Sequence, residues 1–221
     1  MSWLDPASVP DAGAYLARLV RLDAAALVRL RPAGAGALAL WARLPFEVLV
    51  TRQVAADLAG DVTVRAADLL RAFDADSAEL PVRYDSQWLW PLPPGAGRVV
   101  ERLPVAEVHR IGAAAATTLR EAAAEGVRGR AVGERALREA LLDHVPVVVT
   151  ADDGSRVEVP QRLVQAVVRM GFLGPDPAVG DVRVRTAGGW VGLAGEYGTG
   201  WYRPSRGLQV RRTDERSVTS S

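Results

Sequence analysis

Two imidazoles, His109 and His144, and no thiol make up the chain's supply of the side chains that most often hold transition metals or work as nucleophile and base near neutral pH. Neither histidine has a second ligand three or four residues away. A zinc-binding helix needs that spacing to bring two ligands onto one face. His144 falls at the expected end of a helix, where its cationic form suits the negative end of the backbone dipole. An acid–base pair of His144 with Asp143 is the sharper alternative. Adjacent residues on a helix point in different directions, which counts against it.

Carboxylates come in close pairs at Asp74/Asp76 and Asp152/Asp153. Both pairs sit where turns are expected, and aspartate favours turns because its side chain bonds to nearby amides. No serine lies in a Gly-x-Ser-x-Gly elbow and no Walker loop is present. The run Gly188 to Gly195 contains part of a dinucleotide fingerprint, but no helix follows to hold a phosphate, so it reads as a strand turn with close packing. No catalytic, cofactor-binding or metal-binding residue is assigned, and the expectation leans away from an enzyme.

The remaining chemistry is contact chemistry. Trp88 and Trp90 alternate, so on a strand they would share a face. Trp190, Tyr197, Trp201 and Tyr202 gather in the last forty or so residues, followed by Arg203. Large rings and arginines dominate contact surfaces, so Trp88, Trp90, Trp190, Trp201, Tyr202 and Arg203 form the candidate partner-binding set. The competing reading is that these rings seal the interface between two halves of the chain. A second set, Arg128, Arg130, Arg135 and Arg138, lies in a turn and helix that precede a hairpin, the order found late in a winged helix-turn-helix. Asp152 and Asp153 at the wing tip would repel phosphate.

Composition tempers the arginines. All 27 basic residues are arginine, lysine and asparagine are absent, and Ile111 is the sole isoleucine. That pattern reads as codon usage in a GC-rich genome. The formal net charge is +1, so no global field draws in nucleic acid or an anionic membrane. The opening MSWLDPASVPDAG has no basic start and no apolar stretch, and no apolar run has a spanning length. The expectation is a cytoplasmic protein that does not span a membrane.

The elements that must position these residues follow from periodicity. Asp11 to Leu22 repeats apolar residues at helical spacing. Leu27 to Arg31 and Leu38 to Leu44 alternate around Pro32–Gly36 as a hairpin, with Glu47 to Val54 a third strand. Val62–Val64 is a short strand before a helix at Ala66–Phe73, and Leu80–Trp90 a further strand. Five prolines and glycines between Pro91 and Gly97 mark a linker. Helices are expected at Pro104–Glu125, Gly133–His144 and Gln161–Met170, with hairpins at Val145–Pro160 and Val182–Leu193. The expected fold is α+β: two small domains, 1–90 and 98–212, each with helices packed on a short, mainly antiparallel sheet, joined by 91–97 and ending in a disordered tail, 213–221. A faint echo pairs Val62–Val64 and Leu69–Leu70 with Val157–Val159 and Leu163–Val164, as from duplication of an α-β-β-α unit.

The stretches WARLPFEVLV, LPVRYDSQWLW and EVPQRLVQAVVRMGFLGP resemble a family of conserved, uncharacterised actinobacterial proteins. The resemblance carries no catalytic motif and so implies no functional residues. The sequence alone therefore points to a non-enzymatic binding protein acting on a protein partner or on itself. A DNA- or RNA-binding accessory protein and an enzyme with an unfamiliar carboxylate and arginine site are the alternatives.

Overall fold

Alternation in the N-terminal half writes a sheet. In β1 (Leu27–Pro32), Val28 and Leu30 are fully buried while Arg29 and Arg31 point to the opposite side. β2 (Ala37–Arg43) buries Leu38, Leu40 and Ala42 on the same side, and β3 (Leu49–Ala55) buries Val50 and Val54. β4 (Val62–Arg65) lies outside β1. The computed structural model describes residues 3–77, 79–125 and 134–204. Its later strands are β5 (Arg98–Pro104), a separate hairpin of β6 (Val147–Thr150) and β7 (Arg156–Val159), then β8 (Asp181–Ala187), β9 (Trp190–Ala194) and β10 (Thr199–Tyr202).

Eight strands join in the order β4-β1-β2-β3-β10-β9-β8-β5, every neighbouring pair antiparallel. Each half contributes four. They meet where β3 pairs with β10, through Thr51↔Thr199, Val50↔Gly200 and Leu49↔Trp201. The α+β class with an antiparallel sheet is thus the observed one, and the two four-stranded sets share one continuous ladder.

Helices cover one face. α1 (Val9–Leu22) precedes β1, and α2 (Ala66–Asp74) follows β4. α3 (Val105–Glu125) follows β5, α4 (Glu134–Asp143) comes next, and α5 (Gln161–Arg169) leads towards β8. α1 turns Ala12, Tyr15, Leu16 and Leu19 inward at helical spacing, and α5 turns Leu163, Val164 and Val167 inward. Burying each such leucine or valine stabilises the fold by about 1.5–3 kcal/mol. α5 sits over the junction of the halves, where Gly200 leaves room for Leu163 and Val167.

The halves mirror each other about that junction. A helix leads into three antiparallel strands in each (α1 into β1–β3, α5 into β8–β10), and a strand flanking that set runs into a helix in each (β4 into α2, β5 into α3). The sequence echo pairs different pieces, β4–α2 with β7–α5. The match in the fold is β4–α2 with β5–α3, because α4 and the β6–β7 hairpin interrupt the second half.

Three elements depart from the sequence expectation. Leu80–Trp90 is not a strand; it carries a single bridge, Val64↔Arg83, and a short 3-10 turn at Asp85–Gln87. β5 escapes a pattern search because it is an outer strand of mixed exposure with a register shift between Val99 and Glu101. β10 escapes because it is four residues long and one of its two inward positions is Gly200. The tail, 213–221, lies outside the described residues.

The segment expected as a linker is a strap across the uncovered face. β4 and β5 are opposite edges of the sheet, separated by seven strand spacings of about 4.8 Å, or about 34 Å. Residues 84–97 bridge that gap, and a proline-rich extended chain at about 3.1 Å per residue reaches about 43 Å. The strap starts by sealing the β4 edge: the Tyr84 amide donates to Thr63 O (2.7 Å) and the Thr63 amide donates to Asp85 Oδ1 (2.6 Å).

Two arginines fasten the halves on the helix side. Arg52 of β3 pairs with the Asp11 carboxylate, donates to the Tyr197 carbonyl across the junction, and lies 5.1 Å from the Tyr197 ring centroid. Arg162 of α5, only 5% exposed, donates to Phe46 O (3.1 Å) and pairs with Glu47 (3.5 Å) and Asp143. Its guanidinium also lies 5.1 Å from the Tyr202 ring centroid.

Candidate functional site

The uncovered face is built by the residues that alternate with the core positions along the same strands. Because the ladders are in register, one row crosses the sheet as Arg29, Trp41, Thr51, Thr199, Ala194 and Arg183. Its middle is small and its ends are long and cationic. The next position along β8 on this face is Arg185, and the next along β1 is Arg31. Thr51, Thr199 and Ala194 leave a depression between the aromatic rings. The strap, from Trp90 to Ala96, forms one bank of it and the loop Gly195–Gly198 contributes to the rest. The resulting groove encloses about 830 Å³, within the usual range for a binding cleft.

Under the strap lies a second apolar cluster, separate from the main core: Leu49, Trp88, Ala187, Trp190 and Trp201, with Trp41, Trp90 and Leu92 packed against it. Trp201 lies across Gly192, where a Cβ would come within 2.8 Å of the ring, and under Gly97, where a Cβ would come within 2.9 Å. Any larger side chain at either position must displace the indole. Trp88 and Trp90 meet edge to face at 5.4 Å, and the Trp88 indole N–H donates to Trp90 O (2.8 Å). Arg29, Arg43 and Arg203 lie 5.9, 5.1 and 6.0 Å from the ring centroids of Trp88, Trp90 and Trp190.

Charge in the groove is unevenly neutralised. Arg29 pairs with Asp61, and Arg31 reaches the same carboxylate at 4.0 Å. At the other end, neither Arg183 nor Arg185 has an ion-pair partner among the described residues. Arg185 donates to Ala96 O of the strap (2.7 Å), and its Nε is buried without a partner. Burial, then the nearby Arg183 charge, pulls the Arg185 guanidinium below its usual range. Glu196 is the acidic side chain in the lining.

The structure gathers four of the six expected partner-binding residues, Trp88, Trp90, Trp190 and Trp201, on this one face, and sets Arg203 over Trp190. Only Trp90 of the four tryptophans keeps substantial exposure; the other three are at most 9% exposed. Tyr202 points to the opposite face, against Arg162, because its neighbour Trp201 takes the open side. Burial raises the Tyr202 hydroxyl above its ordinary value, partly offset by Arg162.

Arg135 and Arg138 are exposed on α4, while Arg128 and Arg130 lie outside the described residues. Asp143, the other half of the conceivable pair with His144, is engaged by Arg162. Asp152 and Asp153 at the β6–β7 turn meet Arg98 at 3.7 and 3.2 Å. Two Ser155 hydrogen bonds, with Arg98 nearby, hold the Asp153 carboxyl below its ordinary value. Among the described residues no group of three or more metal-ligating side chains converges, and no helix is long and apolar enough to cross a membrane.

The groove residues that escape a residue-type search are Trp41, Thr51, Gln53 and the two arginine pairs. Their signal was present in the alternations Val28-Arg29-Leu30-Arg31 and Val182-Arg183-Val184-Arg185, each of which puts both arginines on one face. What periodicity cannot supply is that strands 150 residues apart in the chain lie on the same sheet with these faces aligned.

Comparison with known proteins adds family and fold. The family model of a domain of unknown function (DUF8185) matches residues 92–207, and that of another (DUF8010) matches residues 1–90. No curated protein matches the sequence. Among solved structures, the chain is similar to the DNA polymerase III subunit beta of Pseudomonas aeruginosa, with 13% identity, a TM-score of 0.55, and coverage of 90% of this chain and 64% of that one. It is similar to the DNA polymerase sliding clamp of Caulobacter crescentus at 11% identity and a TM-score of 0.53, covering 90% and 64%. The beta chain of Streptococcus pneumoniae gives 11% identity and 0.55, covering 96% and 67%. The chain thus spans about two thirds of the length of these proteins, or slightly less. At such identities the likeness is one of fold, and the fold is clamp-like.

Proposed function

We propose that this chain, which belongs to the family of the domain of unknown function DUF8185, is a non-enzymatic binding protein of the cytoplasm that engages a protein partner through the groove on its open sheet face. The observation that carries the reading is the contrast within one sheet. Helices and aliphatic side chains cover one side, while the other presents exposed Arg31, half-buried Arg29, Arg183 and Arg185, half-buried Trp41 and Trp90, and a long depression. Tryptophan and arginine around a concavity are the residues that concentrate binding energy. The clamp-like fold supports a contact role at the level of architecture only. The division into two domains about 91–97 belongs to the same reading: the strap would bind the two domains together and complete the site. The two family matches, which meet at residues 90 and 92, support that division.

Site-directed photo-crosslinking in the native host tests this. A photoreactive residue at Gln53, exposed on the groove floor, should give a discrete crosslinked partner, and the same residue at Arg135 on α4 should give none. Crosslinks from Arg135 alone would move the contact surface to the helix side. A crosslink from Gln53 to a second copy of this chain would replace a partner protein by self-association.

A further inference from the structure

The groove has a length, a direction and a sign, and together these describe its occupant. Arg29 and Arg183 are five strand spacings apart, about 24 Å at 4.8 Å per spacing. The depression runs across the strands beside the strap, which is itself an extended chain taking the same course. An extended peptide advances about 3.3 Å per residue, so about seven residues span the two arginine pairs. The floor between them, Thr51, Thr199 and Ala194, is small and nearly neutral, with Trp41 at one side. At the β8 end, Arg183 and Arg185 carry two positive charges with no carboxylate within ion-pair distance among the described residues. At the β1 end, Arg29 and Arg31 share the single Asp61.

Resting on the groove reading above, we infer that the occupant is an extended acidic peptide segment of the partner, with carboxylates at two points about seven residues apart and small or apolar residues between them. The carboxylates pair with Arg31 at one end and Arg183 at the other, and the middle lies on Trp41 and the threonine floor. Arginine suits this task because its planar fork grips a carboxylate with two parallel hydrogen bonds. A single-stranded nucleic acid would carry charge at every repeat, and the one cation lining the groove between the arginine pairs, Arg52, is held by Asp11 on the helix side. The small Thr51 and Ala194 side chains also give it no continuous stacking platform.

Fluorescence anisotropy of labelled synthetic peptides with the full chain is the test. The first peptide has paired glutamates at both ends of a six-residue valine and alanine stretch, which sets the inner carboxylates seven residues apart, and its control replaces every glutamate by glutamine. The acidic peptide should bind about tenfold more tightly than the glutamine control, and Arg31→Glu and Arg183→Glu should each weaken it about tenfold. Circular dichroism and thermal melting of both variants should match the parent. Equal binding of the two peptides would overturn the inference. So would tighter binding of a short oligothymidylate that the same variants abolish, an outcome that assigns the groove to nucleic acid. If the peptide fails while the Gln53 crosslink persists, the groove stands and only the acidic occupant falls; loss of both removes the groove itself.

Discussion

The two faces of the eight-stranded sheet are made by alternate residues of the same strands, yet they obey different rules. On the helix side, Val28, Leu30, Leu38, Val50, Val184 and Leu193 are at or near complete burial and meet the apolar stripes of α1 and α5. On the other side, Arg29, Trp41, Thr51 and Arg183 occupy the intervening positions, and a proline-rich strap covers only part of them. The first face carries most of the fold's stability. The second carries a smaller tryptophan cluster and leaves a groove beside it. The lesson is that one ladder serves two ends because a strand's period of two keeps them separate.

The contrast should appear most strongly in deletions of large side chains. Phe172 is fully buried and stacks on Tyr15 at 6.3 Å. Phe172→Ala should cost about 3–5 kcal/mol in urea unfolding, while Trp41→Ala in the groove should cost less than half as much. Equal losses would show that the groove is core. Gly192→Ala tests the tryptophan cluster of the open face, since the new methyl must push the Trp201 indole. About 1–3 kcal/mol should be lost, with a red-shifted tryptophan emission.

Ionisation gives two smaller contrasts. Burial raises the Tyr15 hydroxyl far above its ordinary value of 10.0, with Arg52 opposing weakly. A raised phenol pKa means that folding favours the neutral form. The contribution is fully present below the unfolded value near 10.0 and is lost as pH climbs beyond it. Unfolding should therefore become easier above about pH 10. Tyr15→Phe should blunt that dependence at a cost of about 1 kcal/mol for the lost hydrogen bond to Val50 O. On the strap side, the Thr63 amide foremost, then Arg83, holds the Asp85 carboxyl below 3.8. Its contribution is present above that value and fades as acid protonates the carboxylate. Because Asp85 is 45% exposed, Asp85→Asn should change acid unfolding by less than about 1 kcal/mol. A large acid effect would mean that the strap, not the helix face, governs stability.

How much of this could be read from the chain alone follows the same division. Helical spacing in Asp11–Leu22 and Gln161–Met170, and alternation in Leu27–Arg31 and Val182–Arg185, gave the helix-covered face because burial imposes period on sequence. The Asp152–Gly154 turn was legible for its own chemistry. β5 and β10 were not, since an outer strand with a bulge and a four-residue strand with two small positions leave no period to detect. The tryptophans Trp88, Trp90, Trp190 and Trp201 were recognisable by type, but their meeting depends on the β3–β10 pairing and on the strap, both long-range. Tyr202 shows the limit: strand alternation keeps Trp201 in the open-face cluster and sends Tyr202 itself to Arg162.

The most direct test compares charge reversals on opposite sides of the sheet, reading the Gln53 photo-crosslink in the native host. Arg31→Glu with Arg183→Glu should lower stability by no more than about 1 kcal/mol in total, since Arg31 is exposed and half-buried Arg183 has no ion-pair partner among the described residues, and should abolish the crosslinked partner. Arg135→Glu with Arg138→Glu on α4 should leave the crosslink intact. Loss of the partner from the α4 pair but not from the groove pair would instead place the contact surface on the helix side.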